Sequence, residues 1–334
     1  MRRIFIIFFN LLSVLFLFVF LFFFVGWQKP AQNINWGVVF SQRHAYYLGL
    51  DWKDNYLAIL DDLGVKDLKL IAYWDLIEKE RGVYDFSDLD WQIKEAEKRG
   101  AKVLLVIGRR VPRWPECFIP KWALYPQDIH KKALLEYIEE IVKRYKDNST
   151  IWAWQIENEP FFPFGKCPPP DENLLRQEIE LVKSLDSQKR PVVVSESGEI
   201  PLWFKAAKFG DIVGHTLYRK VWVSQLHTYF KYPFPPVYYG QKAWLIKTIF
   251  KKPVICVELQ AEPWGPVLLY DLPLEEQKKT MDLEKFKEVI EFAKNTGEDT
   301  FYLWGAEWWY WLKEKHKDSA IWQEAQKLFR SQIK

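Results

Sequence analysis

The sequence predicts an α/β chain: an eight-stranded parallel (β/α)8 barrel, preceded by an apolar amino-terminal helix. Three observations predict it. Short β-rich runs, most of them near-continuously apolar, alternate with amphipathic helical stretches. Eight such runs can be counted, and each is followed by a segment long enough for a helix. Glycine recurs where a helix hands over to the next strand, at Gly64, Gly100, Gly210 and Gly297.

The first element is the apolar run from Ile4 to Val25, interrupted only by Asn10 and Ser13 and preceded by Arg2 and Arg3. Its 22 residues are enough to span a bilayer. No small-residue cleavage site follows it, so an uncleaved transmembrane anchor is expected over residues 1–26, with secretion after cleavage as the alternative. The Arg pair predicts that the short end stays in the cytoplasm and the rest of the chain lies outside. A linker over 27–35 then leads into one domain, 36–334.

The eight strands are expected at Trp36–Phe40, Leu68–Tyr73, Val103–Ile107, Ile151–Ile156, Val192–Ser195, Ile212–Leu217, Val254–Val257 and Thr300–Leu303. Apolar runs of this kind suit strands buried on both faces. After the first, Tyr56, Ile59, Leu60 and Leu63 fall on one helical face. After the third, Asp128 is placed to cap a helix whose buried stripe is Leu134, Tyr137, Ile138, Ile141 and Val142. Right-handed crossovers between parallel strands close eight such units most simply into a barrel. The alternative, an open doubly wound sheet, ordinarily carries a Gly-rich phosphate turn, and the chain has neither that nor a P-loop.

Composition narrows the function. A formal charge of +3, with 47 basic and 44 acidic residues spread along the chain, provides no basic stripe for nucleic acid. Cys117, Cys167 and Cys256 show no zinc spacing, so neither metal nor cofactor is expected. Cys117 and Cys167 fall in loops after consecutive strands, and an external location permits a disulfide between them. Cys256 reads as a core thiol. The 18 Trp and 16 Tyr exceed what a core accommodates easily, and rings at strand C-termini suit stacking on sugars.

Active sites of such barrels form at the strand C-termini. Two of those ends carry glutamates: the fourth strand delivers Glu157-Asn158-Glu159-Pro160, and the seventh delivers Glu258. A carboxylate there is costly to bury unless it is paired or used. By strand alternation Glu157 should point away from the side chain of Asn158, toward the helices or a neighbouring strand. Glu196, ending the fifth strand, is the best rival and a candidate sugar ligand, and Glu262 lies further out in a loop.

These residues resemble clan A of the glycoside hydrolases, family 5- or family 42-like, whose members carry an Asn-Glu pair after strand 4 and a nucleophilic Glu after strand 7. The segment Trp74-Asp75-Leu76-Ile77-Glu78 through Gly82-Val83-Tyr84-Asp85-Phe86 and Leu89-Asp90 is similar to the one after strand 2 of clan A β-galactosidases, cellulases and mannanases. The resemblance spans residues 36 to 325. It implies a retaining glycosidase acting on an extracellular carbohydrate, with Glu159 as acid/base and Glu258 as nucleophile. It further implies that Tyr218 donates to Glu258, that Asn158 meets the sugar 2-hydroxyl, and that Trp304 floors the subsite of the reacting sugar. Trp74, Arg109 and Trp114 are expected near the sugar. His215 stands three residues before Tyr218 rather than two, so its contact with substrate is in doubt. The second strand lacks the clan's arginine, and Arg109 or Arg110 is expected to substitute for it. A transglycosidase on the same site and a non-catalytic carbohydrate-binding surface protein are the alternatives.

Overall fold

In the computed structural model, residues 2–124 and 126–331 are described, without the side chains of 2–4, 6, 7, 127 and 128. The expectations for Arg2, Arg3 and Asp128 therefore lie outside the described residues. Eight strands form a closed parallel barrel: β1 (Asn35–Val39), β2 (Asp67–Ile71), β3 (Lys102–Ile107), β4 (Ile151–Ile156), β5 (Val192–Glu196), β6 (Ile212–Leu217), β7 (Val254–Gln260) and β8 (Thr300–Trp304). Each pairs with its sequence neighbours and β8 closes on β1, Trp36 beside Phe301 and Val39 beside Trp304. All eight expected strands are present, with ends shifted by a few residues at most.

Alternation along the strands separates two apolar layers. Inward side chains such as Val39, Ile71, Val106, Val193 and Val257 fill the barrel. Their neighbours Val38, Leu70, Leu105, Val194 and Leu303 face the surrounding helices. Two inward positions place ionisable groups inside the barrel. Lys69, between outward Leu68 and Leu70, is fully buried. Glu258 lies within β7 rather than past its end.

A bulge explains the second. On one side of β7 the pairing steps from His215 with Cys256 to Thr216 with Glu258, and on the other from Phe301 with Cys256 to Leu303 with Leu259. One extra residue on β7 resets the alternation, so that Glu258 follows inward Val257 and still turns into the barrel.

A two-stranded ribbon, Lys220–Val223 against Thr228–Lys231, follows β6 and leads to the helix Pro236–Ile249. The disulfide Cys117–Cys167, Cα atoms 5.2 Å apart, joins the loop after β3 to the loop after β4. Cys256 is free and buried. The aromatic stretch from Glu307 does not line a cleft: Trp308 and Trp309 are buried in the helix Ala306–His316, donating to Gln277 Oε1 and to Ala261 O.

Residues Arg2–Phe24 form a helix with Phe, Leu and Val side chains exposed along it. Its last turn packs on the barrel, Phe22 against Trp244 at 5.7 Å, Phe23 against Tyr238 at 5.6 Å and Phe24 against Phe234 at 6.2 Å between ring centroids. Among the described residues no helix is long and apolar enough to cross a membrane, so the expected transmembrane span is not found there. The side-chain-described stretch from Phe8 to Phe24 amounts to roughly 25 Å of helix, against about 30 Å for a hydrocarbon core.

Candidate active site

Four consecutive barrel strands and the loops above them bring the carboxyls together. Past β4 the chain turns sharply, with Glu157 at φ 57° and Glu159 at φ 46°. Positive φ at a non-glycine residue is a strained setting that surrounding contacts must hold. Ser195, inward on β5, accepts a hydrogen bond from Glu159 N at 2.9 Å. Gln155 donates to Ser195 Oγ and to Asn158 Oδ1. Thr216, inward on β6, donates to Glu159 Oε1 at 3.2 Å. Thr216 is also the pairing partner of Glu258, so the two glutamates converge on either side of it.

Glu258 is held by two donors. Lys69 Nζ lies 3.0 Å from Oε1, and Tyr218 Oη donates to Oε2 at 3.0 Å. Charge-assisted contacts of this kind are the strong ones. Among the described residues, no cation is in hydrogen-bond contact with Glu159. Burial, then the charges of Glu258 and Glu116, push its carboxyl well above the usual carboxylate range. One site thus contains a carboxyl whose proton is favoured by its surroundings beside a second carboxyl bonded to Lys69 and Tyr218.

The structure brings Asn158, Glu159, Tyr218 and Glu258 together as the sequence reading expected. It places several others elsewhere. His215 is outward on β6, bonded to Glu298 Oε2 at 2.7 Å and stacked on Trp203 at 4.3 Å, so it is a satisfied structural histidine. Glu196 is likewise outward, accepting from Ala206 N. Trp74 is fully buried in the helix layer, donating to Glu78 Oε2 and stacked on Tyr137. Arg109 turns to His130 at 2.9 Å, and Arg110 donates to Phe164 O. Neither reaches Glu258; the cation on the nucleophile candidate is Lys69. Trp114 sits at the rim, 43% exposed, with Phe164 at 5.8 Å. Phe164, Trp264 and Tyr218 continue that ring contact across the cleft at 6.0 Å and 5.3 Å.

Glu157 points away from Asn158, as alternation predicts: its carboxylate accepts from Arg109 N at 2.9 Å and Arg110 N at 2.8 Å. Gly108 permits this, because a Cβ there would lie 2.6 Å from Glu157 Oε1, and its φ is 124°.

Trp304 ends β8 facing inward, but Arg113 covers one face, its guanidinium carbon 3.8 Å from the ring centroid. Glu262 ties the two together, accepting from Trp304 Nε1 at 2.7 Å and from Arg113 Nη1. Arg113 also reaches Glu307 Oε2 at 3.1 Å, and His44 Nε2 lies 3.2 Å from Glu262 Oε2. Burial works to raise the Glu262 carboxyl, yet Arg113 and His44 hold it down at about 2. Glu262 is therefore a buried anchor for Trp304, not an outer-loop residue.

Sequence reasoning missed three residues of the site. Lys69 had a signal: a lone lysine at an inward step of an otherwise apolar strand. Glu116, whose Oε2 accepts from Asn158 Nδ2 at 3.5 Å, had none, since it arrives from an irregular loop. Glu199 accepts from Tyr218 N at 2.8 Å and had none for the same reason.

No family model matches the chain. Over 195 residues it is 25% identical to a probable mannan endo-1,4-β-mannosidase A of Aspergillus oryzae, covering 48% of each chain. The chain thus spans about half the length of that curated relative. Among solved structures, a glycoside hydrolase family 5 mannosidase of Rhizomucor miehei superposes with TM-score 0.56 at 16% identity, covering 82% of both chains. A GH5_18 protein of Streptomyces cattleya, solved in complex with GlcNAc, gives TM-score 0.56 at 14% identity over 84% of this chain and 71% of that one. The parallel barrel, the glutamates of its fourth and seventh strands and these likenesses together support a likeness to the clan A glycoside hydrolases, family 5-like.

Proposed function

We propose that the chain is a retaining glycoside hydrolase acting on an extracellular oligo- or polysaccharide by double displacement. The observation that carries this is the opposed setting of two carboxyls around Thr216: Glu159 kept protonated, Glu258 held by Lys69 and Tyr218. In the first step Glu258 attacks the anomeric carbon while the bond to the leaving oxygen breaks, and Glu159 gives that oxygen its proton. In the second, Glu159 takes a proton from water, whose oxygen displaces Glu258 and restores the starting enzyme. Asn158 would hold the 2-substituent of the sugar as charge develops beside it. Double displacement would retain the anomeric configuration, because each of its two steps inverts that carbon.

The test is trapping with an activated 2-deoxy-2-fluoro glycoside, followed by mass spectrometry of the digested protein. Label is expected on the peptide containing Glu258, and Glu258→Ala and Glu159→Ala should each lower turnover by several orders of magnitude in folded protein. Label on another carboxylate, or an unlabelled enzyme giving inverted product, would overturn the mechanism.

The amino-terminal helix is proposed to attach the protein to a membrane, with the barrel outside the cytoplasm. Its support is the exposed Phe, Leu and Val side chains along it and the disulfide Cys117–Cys167, which suits an oxidising compartment. Alkaline carbonate should leave the full chain in the membrane pellet; release into the supernatant would sink the idea.

A further inference from the structure

The turn from Arg113 to Glu116 delivers a third carboxyl to the cleft, one that the double displacement does not use. Arg113 has φ 92° and Glu116 φ 74°, so two non-glycine residues of one short turn occupy the left-handed region. Such strain persists where neighbouring structure over-determines it, and here three contacts do. Val111 N donates to Glu116 O at 2.8 Å and Phe118 N to Arg109 O at 3.0 Å, fastening the base of the loop. Cys117, the next residue, is bonded to Cys167. Gly165 closes over the side chain: a Cβ there would stand 2.7 Å from Glu116 Cβ, and its φ of 79° also favours glycine.

The residue so held is 7% exposed. Its Oε2 takes only the long 3.5 Å contact from Asn158 Nδ2, and its Oε1 has no hydrogen-bond partner among the described residues. Burial, then the charge of Glu258, push Glu116 up to about 8. Lys69 is bonded to Glu258, and Arg110, whose charge pulls Glu116 and Glu159 down, gives its Nη2 to Phe164 O. Three carboxyls, Glu116, Glu159 and Glu258, therefore share a cleft in which, among the described residues, Lys69 on Glu258 is the cation in hydrogen-bond contact with them. Asn158, which donates to Glu116, is the residue assigned above to the sugar's 2-substituent.

We propose that Glu116 is a specificity-determining residue that reads the 2-substituent of the reacting sugar, and that the substrate class is glycosides of 2-amino-2-deoxy sugars, whose ammonium group donates to Glu116. This rests on the glycosidase reading for the placement of the sugar. A 2-ammonium would donate to the open Oε1 and draw Glu116 into its ionised form, pairing charge with charge. A 2-hydroxyl would offer Oε1 only a neutral donor.

Two measurements separate this from the reaction assignment. Calorimetric titration of the full chain with 2-amino-2-deoxyglucose and with glucose reads binding without turnover. The amino sugar is expected to bind at least tenfold more tightly, and Glu116→Gln to remove most of that difference. Kinetics with 4-nitrophenyl β-glycosides bearing a 2-amino, a 2-acetamido or a 2-hydroxyl group read turnover. Glu116→Gln is expected to lower kcat/KM on the 2-amino substrate at least tenfold more than on the 2-hydroxyl one. Equal binding of the two sugars by the unmodified protein, a preference for the 2-acetamido or 2-hydroxyl substrate, or equal losses in the variant would overturn the proposal. Amino-sugar binding that depends on Glu116 in a protein lacking all glycosidase activity would support it and refute the reaction instead.

Discussion

Replacing Lys69 by methionine removes the one cation bonded to Glu258 among the described residues while keeping most of the stem that fills the barrel. Lys69 Nζ and Glu258 Oε1 are 3.0 Å apart, and both side chains are shut away from water. At an effective dielectric constant of about 20, unit charges at that separation attract by roughly 5 kcal/mol. Measured losses on removing one partner of a buried pair are about 3–5 kcal/mol, because the other charge is stranded. A loss of about 3 kcal/mol from the step in which Glu258 attacks corresponds to a little over two decades of rate. Lys69→Met should therefore melt well below the unmodified protein and lose at least about 100-fold in kcat/KM on an aryl β-glycoside, with a matching fall in the rate of 2-fluoro-glycoside trapping. Lys69→Arg should keep more of both. Placing Lys69→Met in a Glu258→Gln background isolates the pair, since the stability loss should largely disappear once no carboxylate is left to strand. A coupling below about 0.5 kcal/mol in that cycle, or turnover by Lys69→Met within threefold of the unmodified enzyme, would refute the reasoning.

The remaining predictions concern pH and the disulfide. Glu159 must hold its proton to act as acid, and burial and the charge of Glu258 raise its carboxyl, so activity should persist above the usual carboxylate range and be lost as pH climbs through the raised value. A kcat/KM profile that collapses on its basic side near pH 4.5 would count against the assignment. The disulfide closes a sequence separation of 50, worth about 4 kcal/mol in the chain-entropy picture. Cys117→Ser with Cys167→Ser should lower the melting temperature under oxidising conditions and reduce kcat/KM, because the bond fastens the turn that presents Arg113 and Glu116. An unchanged melting curve would contradict it.

The barrel was legible because each strand is a short apolar run bounded by glycine or polar residues, and because parallel strands buried on both faces need no finer pattern. Glu159 and Tyr218 were legible as residues at or near strand ends. Glu258 was found for a reason the structure modifies: it lies inside β7, and a bulge that leaves no trace in the residue pattern turns it inward. Lys69 and Glu258 are 189 residues apart in sequence, so their pairing needed the closed barrel to be seen. Arg109 and Arg110 were plausible substitutes because strand ends were the only places considered for a cation, whereas the cation rises from the middle of β2. Trp304 was read as an open platform; that Arg113 lies over one face depends on a loop with two left-handed residues and no regular pattern. His215 and Glu196 were misplaced by one step of alternation, each being the outward neighbour of an inward residue, Thr216 and Ser195, that does touch Glu159.

The seating of the amino-terminal helix on the barrel bears on how a shortened form of this protein would have to be designed. Phe24 lies against Phe234 and Tyr238, Tyr238 donates to Glu199 O at 2.9 Å, Glu199 accepts from Tyr218 N, and Tyr218 donates to Glu258. Trimming the chain at the apparent end of the apolar run, after Val25, would bare Trp244, Tyr238 and Phe234 at once and loosen the first link of that series. A cut before Phe22 keeps the three phenylalanines as a plug and discards the stretch whose apolar side chains, from Leu11 to Leu21, are exposed.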